Sequence, residues 1–243
     1  MSRPRPIFLF TDFGESGPYV GQMTAAIYQA EPDSRVINLM HDAPAMRPDL
    51  AAYLLPACSR PLDPGSVVVA VVDPGVGGDR AALVVEAAEK TFVGPDNGLL
   101  SRLPDIGRVS RVDWRPASLS ASFHGRDLFA PVAARLAAGH AVATSVMPAD
   151  VMVGSDWSVG LARVVYVDAY GNLMVGLDAQ AIDEQRSFNV LGRHVVHAGT
   201  FCRVPAGQLF WYGNSLGLLE IAANGASAAD ILSLALGDRI LID

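Results

Sequence analysis

Val67-Val-Val-Ala-Val-Val-Asp-Pro-Gly-Val-Gly-Gly-Asp-Arg80 is the stretch that decides how this 243-residue chain folds. The apolar run Val67–Val72 reads as a strand buried on both faces, the habit of parallel strands flanked by helices. Asp73 follows it directly, so a carboxylate stands at the carboxyl end of a parallel strand, where open α/β sheets place their ligands. Pro74, Gly75, Gly77 and Gly78 then let the backbone turn sharply and approach a ligand closely.

The elements on either side agree with this reading. Ile7–Thr11 and Val36–Leu39 read as strands, Tyr19–Glu31 and Arg47–Arg60 as helices, Ala82–Ala87 and Thr91–Val93 as a strand pair, and Asp127–Ala138 as a helix stopped by Gly139. Strands alternating with helices predict an α/β fold with an N-terminal, mostly parallel sandwich domain. Near residue 150 the texture changes. Ala143–Gly160 is rich in Ser, Gly, Pro and Asp and reads as a connector. After it come short β runs at Ala162–Val167, Leu173–Leu177, Phe188–Leu191, His194–His197, Gln208–Tyr212 and Leu216–Ile221, with a hairpin turn at Gly192-Arg193. A helix over Ala228–Leu236 and a strand over Ile240–Ile242 end the chain. The expected division is 1–148 as the α/β domain, 149–161 as linker, and 162–243 as a small antiparallel β-barrel domain.

Composition narrows the function. Hydrophobic residues make up 51% and charged residues 18%, enough for a sizeable core, and the surplus points to apolar surface covered by partner subunits. A net charge of −7 argues against nucleic acid and anionic membrane surfaces, which want clustered cations. No apolar run approaches the ~20 residues that span a bilayer, and Ile7–Phe10 is too short for a secretion signal, so a cytoplasmic protein is expected. Cys58 and Cys202, the only cysteines, read as buried thiols rather than a metal site or disulfide. Lys90 is the only lysine, which leaves little room for Schiff-base chemistry.

The chemistry-bearing residues fall in glycine-bearing loops. Ser122-Phe-His-Gly-Arg-Asp127 adds an imidazole, His124, to the carboxylate of Asp73 and the guanidinium of Arg80. Singly, each has a plain alternative: Asp73 and Arg80 as a loop-bracing ion pair, His124 as a satisfied core histidine. Asp12, in Thr11-Asp-Phe-Gly14, is either a turn cap or a carboxylate for ribose hydroxyls. It is not the kinase motif, whose partner sequences are missing. Gly75-Val-Gly-Gly78 is not a dinucleotide fingerprint, because Arg80 stands where the third glycine belongs. Gly94-Pro-Asp-Asn-Gly98 is a turn or a pocket wall. Asp168-Ala-Tyr-Gly-Asn172 is either a self-bonded hairpin turn or a site in which Asp168 meets an ammonium and Asn172 a ligand edge. Asn214-Ser215 and Asn224 carry the same two readings, and Trp211 and Tyr212 read as core.

Taken in order, Thr11-Asp-Phe-Gly with Tyr19-Val-Gly21, Asp73-Pro-Gly-Val-Gly with Arg80, Gly94-Pro-Asp-Asn-Gly98, Phe123-His-Gly-Arg-Asp127, Asp168 with Gly171-Asn172, and Asn214-Ser-Leu-Gly217 with Glu220-Ile-Ala resemble the adenosine-forming S-adenosyl-L-methionine (SAM) hydrolases. These are also called SAM hydroxide adenosyltransferases and are relatives of the SAM-dependent fluorinase and chlorinase. The resemblance implies an N-terminal α/β domain, a C-terminal β-barrel, and a homotrimer whose SAM sites lie between subunits. It implies hydrolysis of SAM to adenosine and L-methionine by attack of water on ribose C5′. Asp73, Arg80 and His124 would be the catalytic set, and Asp12 would hold the ribose diol. Asp168 and Ser215 would hold the methionine amino and carboxylate ends, with Asn172 and Asn224 near the adenine. SAM is then the substrate, and neither cofactor nor metal is expected. Competing readings are halogenase-like substitution, a metal-dependent hydrolase using Asp12, Asp73, Asp96, His124 and Asp127, and a non-catalytic SAM or adenosine binder. Asp73 speaks against halogenation, because a carboxylate repels halide.

Overall fold

The computed structural model describes residues 4–241. It divides into two compact units, one up to Trp157 and the other from Ser158 onward.

The first unit is built on a seven-stranded sheet. Its strands are β1 (Pro6–Thr11), β2 (Arg35–Met40), β3 (Val67–Val71), β4 (Ala82–Ala87), β5 (Lys90–Pro95), β6 (Ile106–Val112) and β7 (Thr144–Met147), in the order β2-β1-β3-β5-β4-β6-β7. The β2-β1-β3-β5 half is parallel, and β4, β6 and β7 extend it antiparallel. All of Val67–Val72 is buried. Because side chains alternate between faces, β3 is covered on both sides, as its unbroken apolar run requires. On one face Val67, Val69 and Val71 share a core with Met23 and Ile27 of α1 (Tyr19–Ala30) and Val132 and Ala133 of α3 (Ala130–Ala137). Helix α2 (Pro48–Ser59) starts on Pro48, whose missing N–H has no partner to lose in a first turn. Asp49 beside it suits the positive end of the helix.

Two strands escaped the sequence reading. β6 was unmarked because Gly107, Arg108 and Arg111 interrupt its alternation. β7 lies inside the Ser/Gly/Pro/Asp-rich stretch read as connector. The helix expected from Asp127 begins earlier, as a π-helical turn over Gly125–Phe129 in which the Ala130 N–H reaches back to the Gly125 carbonyl.

The second unit is a curled six-stranded sheet, a half-barrel. Its strands are β8 (Leu161–Val167), β9 (Leu173–Asp178), β10 (Phe188–Val190), β11 (Arg193–His197), β12 (Leu209–Gly213) and β13 (Leu218–Ala223), ordered β10-β11-β12-β13-β9-β8. Every pairing is antiparallel except β11 with β12. The hairpin turn is Leu191-Gly192, one residue earlier than expected, and both residues have positive φ (51° and 77°), the type I′ habit. Helix α4 (Ala228–Leu232) ends short of Leu236 because Ser233 turns left-handed (φ 52°). Ile242 of the expected last strand lies outside the described residues. Arg239 makes one antiparallel bridge to Arg163. Trp211 is buried and donates its indole N–H to the Arg186 carbonyl at 2.8 Å, a core role. Cys58 is half-buried, which pushes its thiol up to about 12, whereas Cys202 is exposed rather than buried. No helix among the described residues is long and apolar enough to cross a membrane.

Candidate active site

The carboxyl ends of β1, β2 and β3 bring their following loops to one edge of the sheet. Asp12 follows β1, His41 follows β2, and Asp73 follows β3 by two residues. A cavity of about 240 Å³ opens there, lined by Asp12, Phe13, Tyr19, Met46, Asp73, Phe123 and His124, with Val71, Val76, Ser122 and Gly125. Larger hollows of about 420 and 550 Å³ lie elsewhere on this unit and hold none of Asp12, Asp73 or His124.

The structure gathers three of the expected residues. Arg80 donates from Nε to both Asp73 carboxylate oxygens at 2.8 Å, and its Nη2 makes a second bond to Oδ2. Arg80 Nη2 also donates to His124 Nδ1 at 3.1 Å. A guanidinium can only donate, so Nδ1 must accept, and the proton of the neutral ring resides on Nε2. Burial first and the Arg80 charge second push the His124 pKa below its ordinary value, which favours that neutral form. Asp73 and His124 line the cavity, whereas Arg80 clasps them from behind. The Arg80 side chain is 10% exposed and stacks over the buried Phe129 ring at 5.2 Å.

Local sequence explains how loops 44 residues apart meet. Gly77 has φ +83°, and a Cβ there would lie 2.3 Å from the Ala121 carbonyl oxygen. Only glycine lets the Asp73–Arg80 loop lie directly against the backbone leading into His124. Gly125, next to His124, is packed less severely, against side chains alone: a Cβ would come within 3.2–3.3 Å of Met23, Phe123 and Phe13. Asn97, in the turn after β5, donates to the Val72 carbonyl at 2.9 Å and braces the strand end that carries Asp73.

Asp12 lines the same cavity. Its Oδ2 accepts the Met46 N–H at 2.9 Å, and Met46 itself takes a positive φ of 59° to present it. Burial, with a small push from Asp73, raises the Asp12 pKa, partly offset by that N–H. Phe13, Tyr19 and Phe123 meet edge-on or tilted with centroids 5.4–5.8 Å apart and give the cavity an aromatic side. The sequence reading did not single out Phe13 or Tyr19 as lining residues. Each is an ordinary apolar residue until the loops are folded together.

The remaining expected residues lie in the second unit. Asp168 closes its own turn: Oδ1 accepts the N–H groups of Tyr170 (2.9 Å) and Asn172 (2.8 Å), and Oδ2 accepts Asn172 Nδ2 (2.9 Å). The Oδ1 atom of Asn172 is buried without a partner. Asn172 borders a hollow of about 500 Å³ with Tyr170, Phe201, Ala226 and Ser227. Ser215 is exposed. Asn224 spends its amide on the Val204 carbonyl at 2.7 Å. Asn214 is fully engaged, accepting from Leu216 and Leu218 and donating to the buried Glu220 at 2.8 Å. Tyr212 donates to the other Glu220 oxygen at 2.6 Å.

The carboxylates of a would-be metal site are otherwise employed. Asp96 accepts the Val153 N–H at 2.9 Å, and Asp127 pairs with Arg126 at 2.6 Å and accepts the Ser120 N–H at 2.8 Å. Among the described residues no group of three His, Cys, Asp or Glu side chains is placed to hold a metal ion.

Comparison with known proteins is consistent along the chain. Residues 7–146 match the model of the SAM hydroxide adenosyltransferase N-terminal domain, and residues 162–241 match that of the C-terminal domain. An (R)-S-adenosyl-L-methionine hydrolase of Salinispora arenicola is 37% identical over 96% of this chain and 95% of its own. One from Thermus thermophilus is 36% identical over 95% and 96%. The crystal structure of an uncharacterized conserved protein from Thermotoga maritima superposes with a TM-score of 0.88 at 28% identity, covering 98% of this chain and 100% of that one. Both halves of the sequence and the order of its site motifs thus lead to one conclusion: the chain belongs to the SAM hydroxide adenosyltransferase family.

Proposed function

We propose that this protein hydrolyses SAM to adenosine and L-methionine, with Asp73, Arg80 and His124 as the catalytic set. The observation that carries the reading is the clasp: two cavity-facing groups, Asp73 and His124, joined behind the cavity by one guanidinium. The relatives are named for the (R) form of SAM, and we assign the same epimer to this chain.

Water attacks C5′, the new C–O bond forms as the C5′–S bond breaks, and sulfur keeps the electron pair as the neutral thioether of methionine. Such a leaving group needs no acid, so the residues act on the nucleophile. Holding water in line is worth up to ~7–11 kcal/mol of the barrier in well-aligned cases. Because Arg80 occupies the Nδ1 lone pair, His124 serves as an Nε2–H donor that orients the water, and Asp73 receives its proton. Proton loss accompanies attack on a cation, so the nucleophile needs no strong base. Asp12 accepts from the ribose hydroxyls. In the second unit, the unpartnered Asn172 Oδ1 suits the adenine amino group, and the carboxylate of Asp168 retains acceptor capacity for the methionine ammonium. Ser215 contacts the methionine carboxylate, and Asn224 braces the adenine loop. We further propose a cytoplasmic homotrimer in which neighbouring copies complete each site; sedimentation equilibrium tests the stoichiometry.

Incubation with (R)-SAM in ¹⁸O-water, followed by mass spectrometry, tests the reaction. Label at the adenosine 5′-oxygen is expected, and unlabelled adenosine or intact SAM overturns it. With chloride or fluoride added, no 5′-halo nucleoside forms.

A further inference from the structure

His41 takes no part in the proposed chemistry, yet it is a buried histidine, 1% exposed, directly after β2 and beside the loop that carries Asp12. Its Nε2 is buried without a hydrogen-bond partner, an arrangement that destabilises any fold. A leucine in this place would carry no such penalty, so the imidazole is explained by its other nitrogen. Nδ1 lies 2.8 Å from the Thr11 hydroxyl. That hydroxyl also accepts the Phe13 N–H at 3.3 Å, bridging over Asp12. The His41 carbonyl, in turn, accepts the Gly14 N–H at 2.7 Å. One residue of the second loop therefore holds the chain on both sides of Asp12: its ring grips Thr11 before, and its carbonyl grips Gly14 after.

The Asp12 side chain is also tied through its Oδ2, which accepts the Met46 N–H. That bond also joins the β1 loop to the β2 loop, and it depends on the two loops staying in register. The third link, from the Ala43 N–H to the Thr11 carbonyl at 3.1 Å, is backbone alone. Of these bonds around Asp12, the Thr11–His41 pair joins two side chains, whereas each of the others uses a backbone group.

We infer that His41, through the Thr11 hydroxyl, is the positioning residue that aims the Asp12 carboxylate at the ribose hydroxyls of the ligand. The inference rests on the proposed nucleoside site but not on turnover, so it is tested by binding. Wild-type protein is titrated calorimetrically with adenosine and with 2′-deoxy- and 3′-deoxyadenosine. A carboxylate bonded to a hydroxyl gives a preference of roughly tenfold or more for adenosine. His41→Leu lowers that preference to about threefold or less, a change that general loosening of the fold would not produce because it weakens all three ligands alike. His41→Asn, whose amide can reach the position of Nδ1, restores the preference. Thr11→Val, nearly isosteric, loses it as His41→Leu does, and it decides the matter if the leucine variant fails to fold. A preference kept in both His41→Leu and Thr11→Val overturns the inference. A wild type indifferent to the ribose hydroxyls also overturns it, while leaving the hydrolysis reading to the isotope experiment.

Discussion

Arg80→Lys separates the charge of the clasp from its geometry. Arginine spreads its donors over Asp73 and His124 at once, with Nε on both carboxylate oxygens and Nη2 shared between the carboxylate and Nδ1. Lysine offers a single ammonium on a flexible stem and cannot hold both partners in one plane. It keeps the pairing with Asp73 and gives up the bond to His124. Loss of a charge-assisted hydrogen bond is worth about 1.5–3 kcal/mol. With 1.36 kcal/mol per tenfold in rate, kcat should fall roughly 10–150-fold. Arg80 does not line the cavity, so KM should stay within about threefold. Arg80→Met goes further. The Asp73 side chain is only 4% exposed, and stripping its partner leaves a buried charge unpaired, a loss of about 3–5 kcal/mol in stability. Adenosine release followed by chromatography over a range of SAM concentrations gives kcat and KM, and urea unfolding gives the stability. If Arg80→Lys kept kcat within about twofold, or moved KM and left kcat alone, the clasp would not be what positions the nucleophile.

Three further outcomes follow from the same contacts. Gly77→Ala should lose stability by about 1–2 kcal/mol or more and lose activity as well, because its Cβ would strike the Ala121 carbonyl and part the two loops. Gly139→Ala, at the same φ of +83° with nothing within 4 Å, should lose stability only, and equal activity in the two variants would refute the point. Burial lowers the pKa of both His41 and His124. The unfolded chain therefore takes up protons first as pH falls, so their contribution to stability is complete above their ordinary value of 6.5 and lost progressively below it. Thermal melts from pH 8 to 5 should show wild type losing ground to a His41→Asn/His124→Asn double variant below about 6.5, and an acid limb of kcat lying above that value would contradict the assignment of His124. Glu220→Gln should lower stability by about 1–3 kcal/mol in urea, since Tyr212 and Asn214 both donate to that carboxylate and one would then face an amide N–H; a change under about 0.5 kcal/mol would mean these hydrogen bonds rearrange without penalty.

Fold class was legible wherever a segment's neighbours matter little to its conformation. An unbroken run such as Val67–Val72 is intelligible only as a strand covered on both faces, and the helix ending at Ala30 stops where Pro32 and the extended Glu31 require. β6 and β7 were hidden because they are antiparallel additions at the sheet's far side, held by their partners rather than by their own alternation. The parallel β11–β12 pairing was hidden for a related reason: a short strand's sequence does not state the direction of its neighbour.

The sequence by itself determined which chemical groups this chain possesses and in what order: a carboxylate, a guanidinium and an imidazole on glycine-bearing loops, and two sets of strands divided by a change of texture. Only the tertiary structure decided which of them meet. Arg80 faces His124 because β3 holds one loop and the π-helical turn the other, with Gly77 allowing backbone to touch backbone between them. It also decided that Asp127 and Asp96 brace loops, that Asn214 supports Glu220, and that Phe13, Tyr19 and Met46 line one cavity. The physical reason is range. Propensity and periodicity act over a few residues, whereas a hydrogen bond or an ion pair forms only when packing elsewhere has already brought distant segments within about 3 Å.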